Sequence, residues 1–485
     1  MSRSRQSLKS LYNSFIKFEQ DLGLFERKID DVLFWERIRH PVFQRIFQKT
    51  LIDQEEAPGL DSSPKDKRLG YYLLKFRNYF FAIFRFNKNP LLAKQHEILV
   101  LSHPRRKLME DGLWWDIYTD YFIDKLGHSV ISLEGDLLFK YKKPTKTKNL
   151  LYTTFIDFLV DMQKYLGLAR VKLTDEEIIY LRKLSQTIKT KYKLSIDLVF
   201  LTKYMLARRK RILPFYLKIL NRIKPKMVVL ISSPGKENII EACKIMQIPV
   251  IELQHSVITK YHTGYSFDKK TSNKTTFPDY LLTFGDYWKD SVNYPIEKDK
   301  IISVGYPEFE QKTKRYKNIK KKKQILFISQ KTIGEKLSKF AVELSKIRKL
   351  DYKIIYKIHP LESNLWYEDY PWLAESKIEI ADQQGKHLYK LFAESEVQIG
   401  VYSTALFEGL SFGVKTFLVD LPGIDNMEDL LEWNVAIKVT KVKELLDYLE
   451  DGKCDECDPE FFFKRDSVQN IINSINEIIQ STNLE

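Results

Sequence analysis

Two motifs in the second half of the chain place side chains that can hold a phosphate at the end of an apolar run. The first is KIHPLE at residues 357–362. His359 can donate a hydrogen bond to a phosphate there, and Pro360 fixes the turn that aims it, with Glu362 close behind. The alternative is a surface histidine in a capped turn.

The second motif is GVYSTALFEG at residues 400–409. Ser403 and Thr404 stand where a strand passes into a helix, and the free N–H groups of a helix start can hold a phosphate without a metal. Glu408 lies one turn beyond Thr404 on the same face and can accept hydrogen bonds from ribose hydroxyls. A simple N-cap is the alternative for Ser403 or Thr404. The predicted donor contacts are His359, Pro360, Glu362, Ser403, Thr404 and Glu408.

Polar residues in the first half of the chain could lie opposite these two motifs, across a cleft. ELQHS at residues 252–256 follows a β-branched run, and Tyr265 comes soon after. His255 is a candidate catalytic group, and Gln254 and Tyr265 are candidate acceptor contacts. A histidine that only stabilises the core or a loop is the alternative for His255.

A fourth cluster is SHPRRKLMEDG at residues 102–112. Asp111, with Glu110 beside it, could remove a proton from an acceptor hydroxyl. Arg105 and Arg106 could attract an anionic substrate. Solvated loop carboxylates are the alternative.

Strands and helices alternate through most of the chain and would position these motifs. Apolar β-branched runs such as EILVLS, MVVLIS and VIEL are followed by helical patterns, and a second series begins with QILFIS after a basic segment at residues 311–323. This alternation predicts an α/β fold with two Rossmann-like doubly wound lobes and a cleft between them. The expected divisions are a helical N-terminal region (1–96), a first lobe with a helical insertion (97–311), a second lobe (324–450) and a C-terminal helix packing back on the first lobe (451–485).

The composition and the absence of several motifs reduce the number of reaction classes to consider. The chain has 485 residues, 44% of them hydrophobic, and carries 79 Lys and Arg against 64 Asp and Glu. It contains no Gly-x-Gly-x-x-Gly, Walker loop, Gly-x-Ser-x-Gly or His-Glu-x-x-His, so hydride transfer, ATP-driven chemistry, serine hydrolysis and zinc proteolysis lose support. There is no Asp-x-Asp to present a metal, and we expect neither a metal nor another cofactor. Three cysteines and a start without a signal peptide favour a cytoplasmic protein.

The strand followed by His-Pro and the strand followed by Ser-Thr resemble the nucleotide lobe of GT-B fold glycosyltransferases of surface and capsular polysaccharide biosynthesis. Within this class, the motifs resemble those of bacterial sialyltransferases and CDP-glycerol glycerophosphotransferases. Glu110-Asp111-Gly112 is similar to the acidic-acidic-Gly motif of several sialyltransferase families, whose second acidic residue is the general base. The resemblance therefore implies that Asp111 is the base and that His359 and Ser403 hold the donor phosphate.

The resemblance implies an inverting, metal-independent glycosyltransferase. It would move a sugar from a nucleotide-sugar donor, with a CMP-linked sugar as one candidate, to a growing surface glycan or a lipid-linked glycan. Two enzyme alternatives are a nucleotide-sugar 2-epimerase and a polyol-phosphate transferase. A basic binder of nucleic acid or of an anionic surface is the non-enzymatic alternative, although we expect no nucleic-acid partner.

A basic and aromatic segment at residues 202–220 could lie on an anionic membrane without spanning it. It includes Arg208, Arg209, Lys210 and Arg211 among apolar residues. The alternative is an amphipathic helix whose apolar face packs on the first lobe.

Overall fold

A computed structural model describes most of the chain. The described residues are 7–53, 68–84, 86–135, 141–268, 274–316, 318–359, 362, 366–382, 387–451 and 454–482. Within them, no helix is both long and apolar enough to cross a bilayer.

The N-terminal region is helical, as expected. Its elements are α1 (Leu8–Asp21), β1 (Lys28–Ile29), β2 (Val32–Leu33), α2 (Phe34–Asp53) and α3 (Arg68–Phe84). The apolar stripe of α1 buries Phe15 and Phe18 beside Trp35 of α2. Arg39 and Glu19 form a buried ion pair at 2.7 Å, which joins the two helices without leaving a bare charge in the core.

The first lobe follows. Its elements are β3 (Ile98–Ser102), β4 (Lys107–Leu108), β5 (Trp114–Trp115), β6 (Val130–Glu134), β7 (Leu150–Tyr152), α4 (Thr154–Tyr165), α5 (Asp175–Tyr192), α6 (Leu198–Ile223), β8 (Met227–Ile231), α7 (Glu237–Ile245), β9 (Val250–Leu253), β10 (Tyr280–Thr283), α8 (Asp286–Asp290), β11 (Ile301–Ser303) and α9 (Pro307–Lys314).

The remaining elements form the second lobe and the C-terminal helices. They are β12 (Lys322–Ile328), α10 (Gly334–Ser345), β13 (Lys353–Lys357), α11 (Trp366–Asp369), α12 (Pro371–Ala374), β14 (Glu379–Ala381), α13 (Leu388–Glu394), β15 (Ser395–Gly400), α14 (Thr404–Leu410), β16 (Lys415–Val419), α15 (Glu428–Glu432), β17 (Ala436–Val439), α16 (Val442–Asp451), α17 (Pro459–Phe462) and α18 (Ser467–Thr482).

Each lobe contains one wholly parallel sheet. The first sheet has the order β7-β6-β3-β8-β9-β10-β11 and the second has the order β14-β13-β12-β15-β16-β17. In both sheets the chain starts in the middle, moves outward to one edge and then returns to continue to the other edge. The expected fold of two doubly wound α/β lobes is therefore confirmed. The direction of winding changes between β3 and β8 and between β12 and β15, the positions where such sheets bind ligands.

Both chain ends tie the lobes together. In α18, Ile471, Ile475 and Ile479 pack among side chains of the first sheet such as Ile98 and Val229. The indole Nε1 of Trp288 in the first lobe donates to the carbonyl of Phe462 in α17 at 2.8 Å. At the other end of the chain, the backbone N–H of Leu8 donates to Asp425 in the second lobe at 2.5 Å.

The basic segment at residues 202–220 lies within α6 and packs against the first lobe, which is the second of the two alternatives above. Leu206, Ile212 and Ile219 are buried. Two of its cations are engaged, since Arg209 Nε lies 3.0 Å from a carboxylate oxygen of Glu241 and Lys210 lies 2.8 Å from Asp30. The apolar face of α6 is therefore occupied by the protein itself.

We predict that Ile475→Ala destabilises the protein by about 2–4 kcal/mol, because it removes a fully buried side chain between α18 and the first sheet. Urea unfolding followed by tryptophan fluorescence measures this loss. Glu477→Ala, at an exposed position of the same helix, is the control and should stay within about 0.5 kcal/mol of the wild type. Equal stabilities for the two variants would show that α18 does not hold the first lobe.

Candidate active site between the lobes

The carboxyl ends of the two sheets meet where the loop after β9 contacts the start of α14. The backbone N–H of Val257 donates to Thr404 Oγ1 at 3.2 Å. Ser403 caps α14, because its hydroxyl accepts from the N–H of Ala405 at 3.2 Å. The predicted donor motif at residues 400–409 therefore lies directly against the predicted acceptor motif at residues 252–256.

Two histidines of the first lobe lie side by side at this junction. The rings of His103 and His255 are stacked with centroids 6.3 Å apart. The hydroxyl of Tyr118 donates to the carbonyl of His255 at 3.0 Å and so fixes the loop. Burial lowers the pKa of each imidazole to about 4. Both rings are therefore neutral at pH 7 and are weak bases in this arrangement.

His255 has an unused ring nitrogen. Its Nε2 lies 3.2 Å from the Ser256 hydroxyl, whereas its buried Nδ1 has no hydrogen-bond partner. Buried polar atoms are almost always paired, so a water molecule or a substrate group would complete the hydrogen bonding of this nitrogen. Among the predicted catalytic residues, His255 has the geometry that best suits a general base.

Arg105 of the first lobe and His359 of the second lobe belong to the same group of side chains as His103 and His255. Arg105 is exposed, and the described residues include no carboxylate partner for its guanidinium. Burial lowers the pKa of His359, and the charge of Arg105 lowers it further, as it does for His103 and His255. We call His103, Arg105, His255 and His359 the histidine cluster. Arg105 gives the cluster positive charge and its imidazoles are neutral, while Asp116 accepts from the backbone N–H of His103 at 3.0 Å and Glu362 from that of His359 at 3.1 Å.

A second group of charged side chains lies nearby and contains Glu308 and Glu408. Burial raises the pKa of Glu408 to about 7, and Lys107 and Tyr389 oppose that rise. Glu308 is fully buried between Lys107, at 3.3 Å, and Lys312, at 2.8 Å. Burial alone would raise the pKa of Glu308, but the two lysines hold it below its ordinary value. We call Glu308, Glu408, Lys107 and Lys312 the carboxylate cluster.

Glu362 and Gln254 support loops in the structure. The carboxylate of Glu362 accepts from the backbone N–H of His359 at 3.1 Å and from the hydroxyls of Ser329 and Tyr370. The amide of Gln254 donates to the Ser256 carbonyl at 2.9 Å and accepts from the N–H of Phe284 at 2.8 Å. Both side chains are buried and fully used in holding the histidine loops. Pro360 lies outside the described residues.

Glu110 and Asp111 lie at the turn of the β4–β5 hairpin. Asp111 is exposed, and its carboxylate accepts from the N–H of Leu113 at 3.0 Å and from Trp115 Nε1 at 2.9 Å. Glu110 is also exposed and pairs with Arg315. The acidic pair followed by glycine thus stabilises a hairpin, in which Gly112 adopts a φ of +75°.

Arg106 and Tyr265 are buried in polar networks. The guanidinium of Arg106 lies 2.7 Å from Glu134 and 3.3 Å from Asp120. Tyr265 is 1% exposed and donates to Glu252. Neither side chain is available to an acceptor in this arrangement.

Sequence reasoning assigned no site role to three residues of these clusters, His103, Glu308 and Lys312. His103-Pro104 at the end of β3 repeats the His359-Pro360 pattern, and this repeat could have identified it. Lys107 and Glu308 are 201 residues apart and meet only in the fold. No group of three metal-ligating side chains forms a metal site within the described part of the chain.

No protein-family model and no curated protein matches the chain. Solved structures do match it at low identity. The UDP-GlcNAc 2-epimerase of Methanocaldococcus jannaschii is 12% identical, with a TM-score of 0.44 over 78% of this chain and 99% of that one. The spinosyn rhamnosyltransferase SpnG is 11% identical, with a TM-score of 0.40 over 79% and 96%. The wall teichoic acid polymerase TagF is 14% identical, with a TM-score of 0.38 over 86% and 99%.

We predict that Glu408→Gln changes how stability depends on pH. Because the pKa of Glu408 is raised to about 7, the contribution of Glu408 to stability falls as pH rises from about 4.5 to 7, when the unfolded carboxyl ionises before the folded one. The variant avoids this loss, so it should match the wild type near pH 4.5 and exceed it by up to about 3 kcal/mol at pH 8. Urea unfolding at both pH values measures the difference. Exposed Glu477→Gln should follow the wild type, and a Glu408→Gln curve parallel to the wild type would place Glu408 in a solvated environment.

Proposed function

We propose that this chain is a glycosyltransferase that uses a nucleotide-sugar donor and works between its two lobes. The observation that carries the proposal is the histidine cluster. His255 of the first lobe has an unpaired buried nitrogen, and the charge of Arg105 lowers the pKa both of His255 and of His359 in the second lobe. Such a site suits a reaction in which one substrate brings the negative charge and the other gives up a proton.

In the proposed reaction, His255 takes the proton from an acceptor hydroxyl. The acceptor oxygen forms a bond to the anomeric carbon of the donor from the side opposite the phosphate, and the bond from that carbon to the phosphate oxygen breaks. The configuration at the anomeric carbon is thereby inverted. His255 is neutral at pH 7 and so can accept the proton, but a pKa of about 4 makes it a weak base until the donor binds.

Arg105 and His359 stabilise the departing phosphate in this scheme. Charge-assisted hydrogen bonds to a phosphate strengthen as its charge grows during bond breaking. The bound anion also offsets the burial penalty on the neighbouring imidazoles and so raises their pKa, which makes His255 a stronger base when donor is present. Glu408 and the Ser403-Thr404 start of α14 are our candidate contacts for the ribose and the phosphate.

The substrate assignment extends this proposal. We propose a CMP-linked or other nucleotide-linked sugar as the donor and a growing surface glycan, free or lipid-linked, as the acceptor. The reaction needs no metal or other cofactor, and the protein acts in the cytoplasm, on the inner face of the membrane. Support comes from the positive charge of Arg105 and the neutral imidazoles around it, which would supply the phosphate contacts that a metal supplies elsewhere.

The test is nucleotide release from CMP-, CDP-, UDP- and GDP-linked donors, measured in excess chelator. We expect release from one donor class by the wild type. His255→Ala should lower the turnover number by about 10²–10⁴, the usual contribution of a positioned base. Asp111→Asn should retain most of the turnover, because the carboxylate of Asp111 is exposed and engaged in its own hairpin.

The opposite result, full activity in His255→Ala and a large loss in Asp111→Asn, would transfer the role of base to Asp111. Activity that depends on added magnesium would contradict the metal-free scheme. Release of no nucleotide from any donor would overturn the proposed function.

We predict that Arg105→Ala and His359→Ala each weaken binding of the released nucleotide at least tenfold, since each removes a charge-assisted phosphate contact worth about 1.5–3 kcal/mol. Titration calorimetry with the nucleotide identified in the donor panel measures this. Arg182→Ala, at an exposed position of α5, removes the same charge away from the site and should leave affinity unchanged. Equal weakening by all three variants would indicate only long-range attraction by the basic surface.

A further inference from the structure

One face of α3 is apolar and open to solvent. Leu73, Phe76, Phe80 and Phe84 are exposed to 60%, 71%, 51% and 63%. Their spacing of three or four residues places them in one stripe along the helix. The rings of Phe80 and Phe84 lie 5.0 Å apart, so the stripe is continuous at this end.

The end of α4 extends this stripe into a wider surface. The helices are joined by the Tyr79 hydroxyl, which donates to Asp161 at 2.7 Å, and by the ring of Tyr79 against Phe158. Beyond this contact the chain exposes four more apolar side chains. We call the combined surface the aromatic patch, and its members are Leu73, Phe76, Phe80, Phe84, Met162, Tyr165, Leu166 and Leu168.

The charges beside the patch are positive. Arg77, Lys164 and Arg170 are exposed on the same two elements or directly after them, and α3 contains no acidic residue. The carboxylates of α4 are engaged within the protein, since Asp161 pairs with Lys75 and Asp157 accepts from the Thr153 hydroxyl. A partner for this surface must therefore be apolar at its centre and anionic around it.

We propose that the aromatic patch docks on an anionic phospholipid bilayer. Aromatic side chains that enter the boundary between headgroups and acyl chains, with Arg and Lys beside them, match both properties of such a surface. This assigns membrane contact to α3 and α4 instead of to residues 202–220, where Leu206, Ile212 and Ile219 are buried and Arg209 and Lys210 are paired. The assignment does not depend on the transfer reaction.

Vesicle flotation with the full chain tests the proposal without any donor or acceptor. Wild-type protein should float with phosphatidylcholine–phosphatidylglycerol vesicles, float at least tenfold less with phosphatidylcholine alone, and detach as salt rises. Phe76→Ser combined with Phe80→Ser should lose at least tenfold in bound fraction. Arg77→Glu combined with Arg170→Glu should lose a similar amount.

The matched control is Phe200→Ser combined with Tyr204→Ser. These two aromatic side chains are 67% and 49% exposed on α6, away from the patch, and their loss should leave flotation unchanged. Because all the changed residues are exposed, each variant should fold, and circular dichroism checks this. The proposal is overturned if the wild type does not float, if the α3 variant floats equally well, or if light scattering shows a dimer that the α3 variant dissolves.

Discussion

The parallel pairing of β3 with β8 and of β12 with β15 determines where every candidate side chain lies. At these pairs the winding of each sheet changes direction, so the helices diverge and leave the carboxyl ends of the strands uncovered. His103 follows β3, His255 follows β9 and His359 follows β13. The contact between Val257 and Thr404 then brings the two uncovered edges together. Residues from four strand ends become neighbours although they are separated by hundreds of positions in the chain.

Burial makes the two clusters electrostatically different. In the carboxylate cluster, the charge of Glu308 is balanced by Lys107 and Lys312 inside the protein. In the histidine cluster, the imidazoles are neutral because burial disfavours their charged form, and Arg105 has no carboxylate to balance it among the described residues. The charge of Glu308 is thus balanced within the protein, whereas that of Arg105 is not balanced by a paired carboxylate among the described residues. This difference is the physical reason for placing a phosphate at the histidine cluster.

The sequence predicted the fold class because periodicity depends on residues close together in the chain. The apolar runs that become β8, β9 and β12 are continuous and end in polar residues, as buried parallel strands do. The three-residue strand β7 was missed, since so short a run adjoins a long helical stretch. Side-chain roles were harder to predict. Arg106 and Asp111 have the residue types of an active site, but the ion pairs of Arg106 and the hairpin turn around Asp111 arise only in the folded chain.

Net charge alone did not indicate which surface could meet a membrane. Residues 208–211 of α6 are four consecutive cations. Arg211 is nevertheless buried, and Arg209 is paired with Glu241. A charge that is already paired has less to gain from an anionic lipid, because the existing ion pair must be broken first. The exposed cations beside α3 and α4 carry no such cost, and the apolar side chains between them gain from leaving water. The side chains that stay exposed after folding therefore indicate the docking surface better than the total charge does.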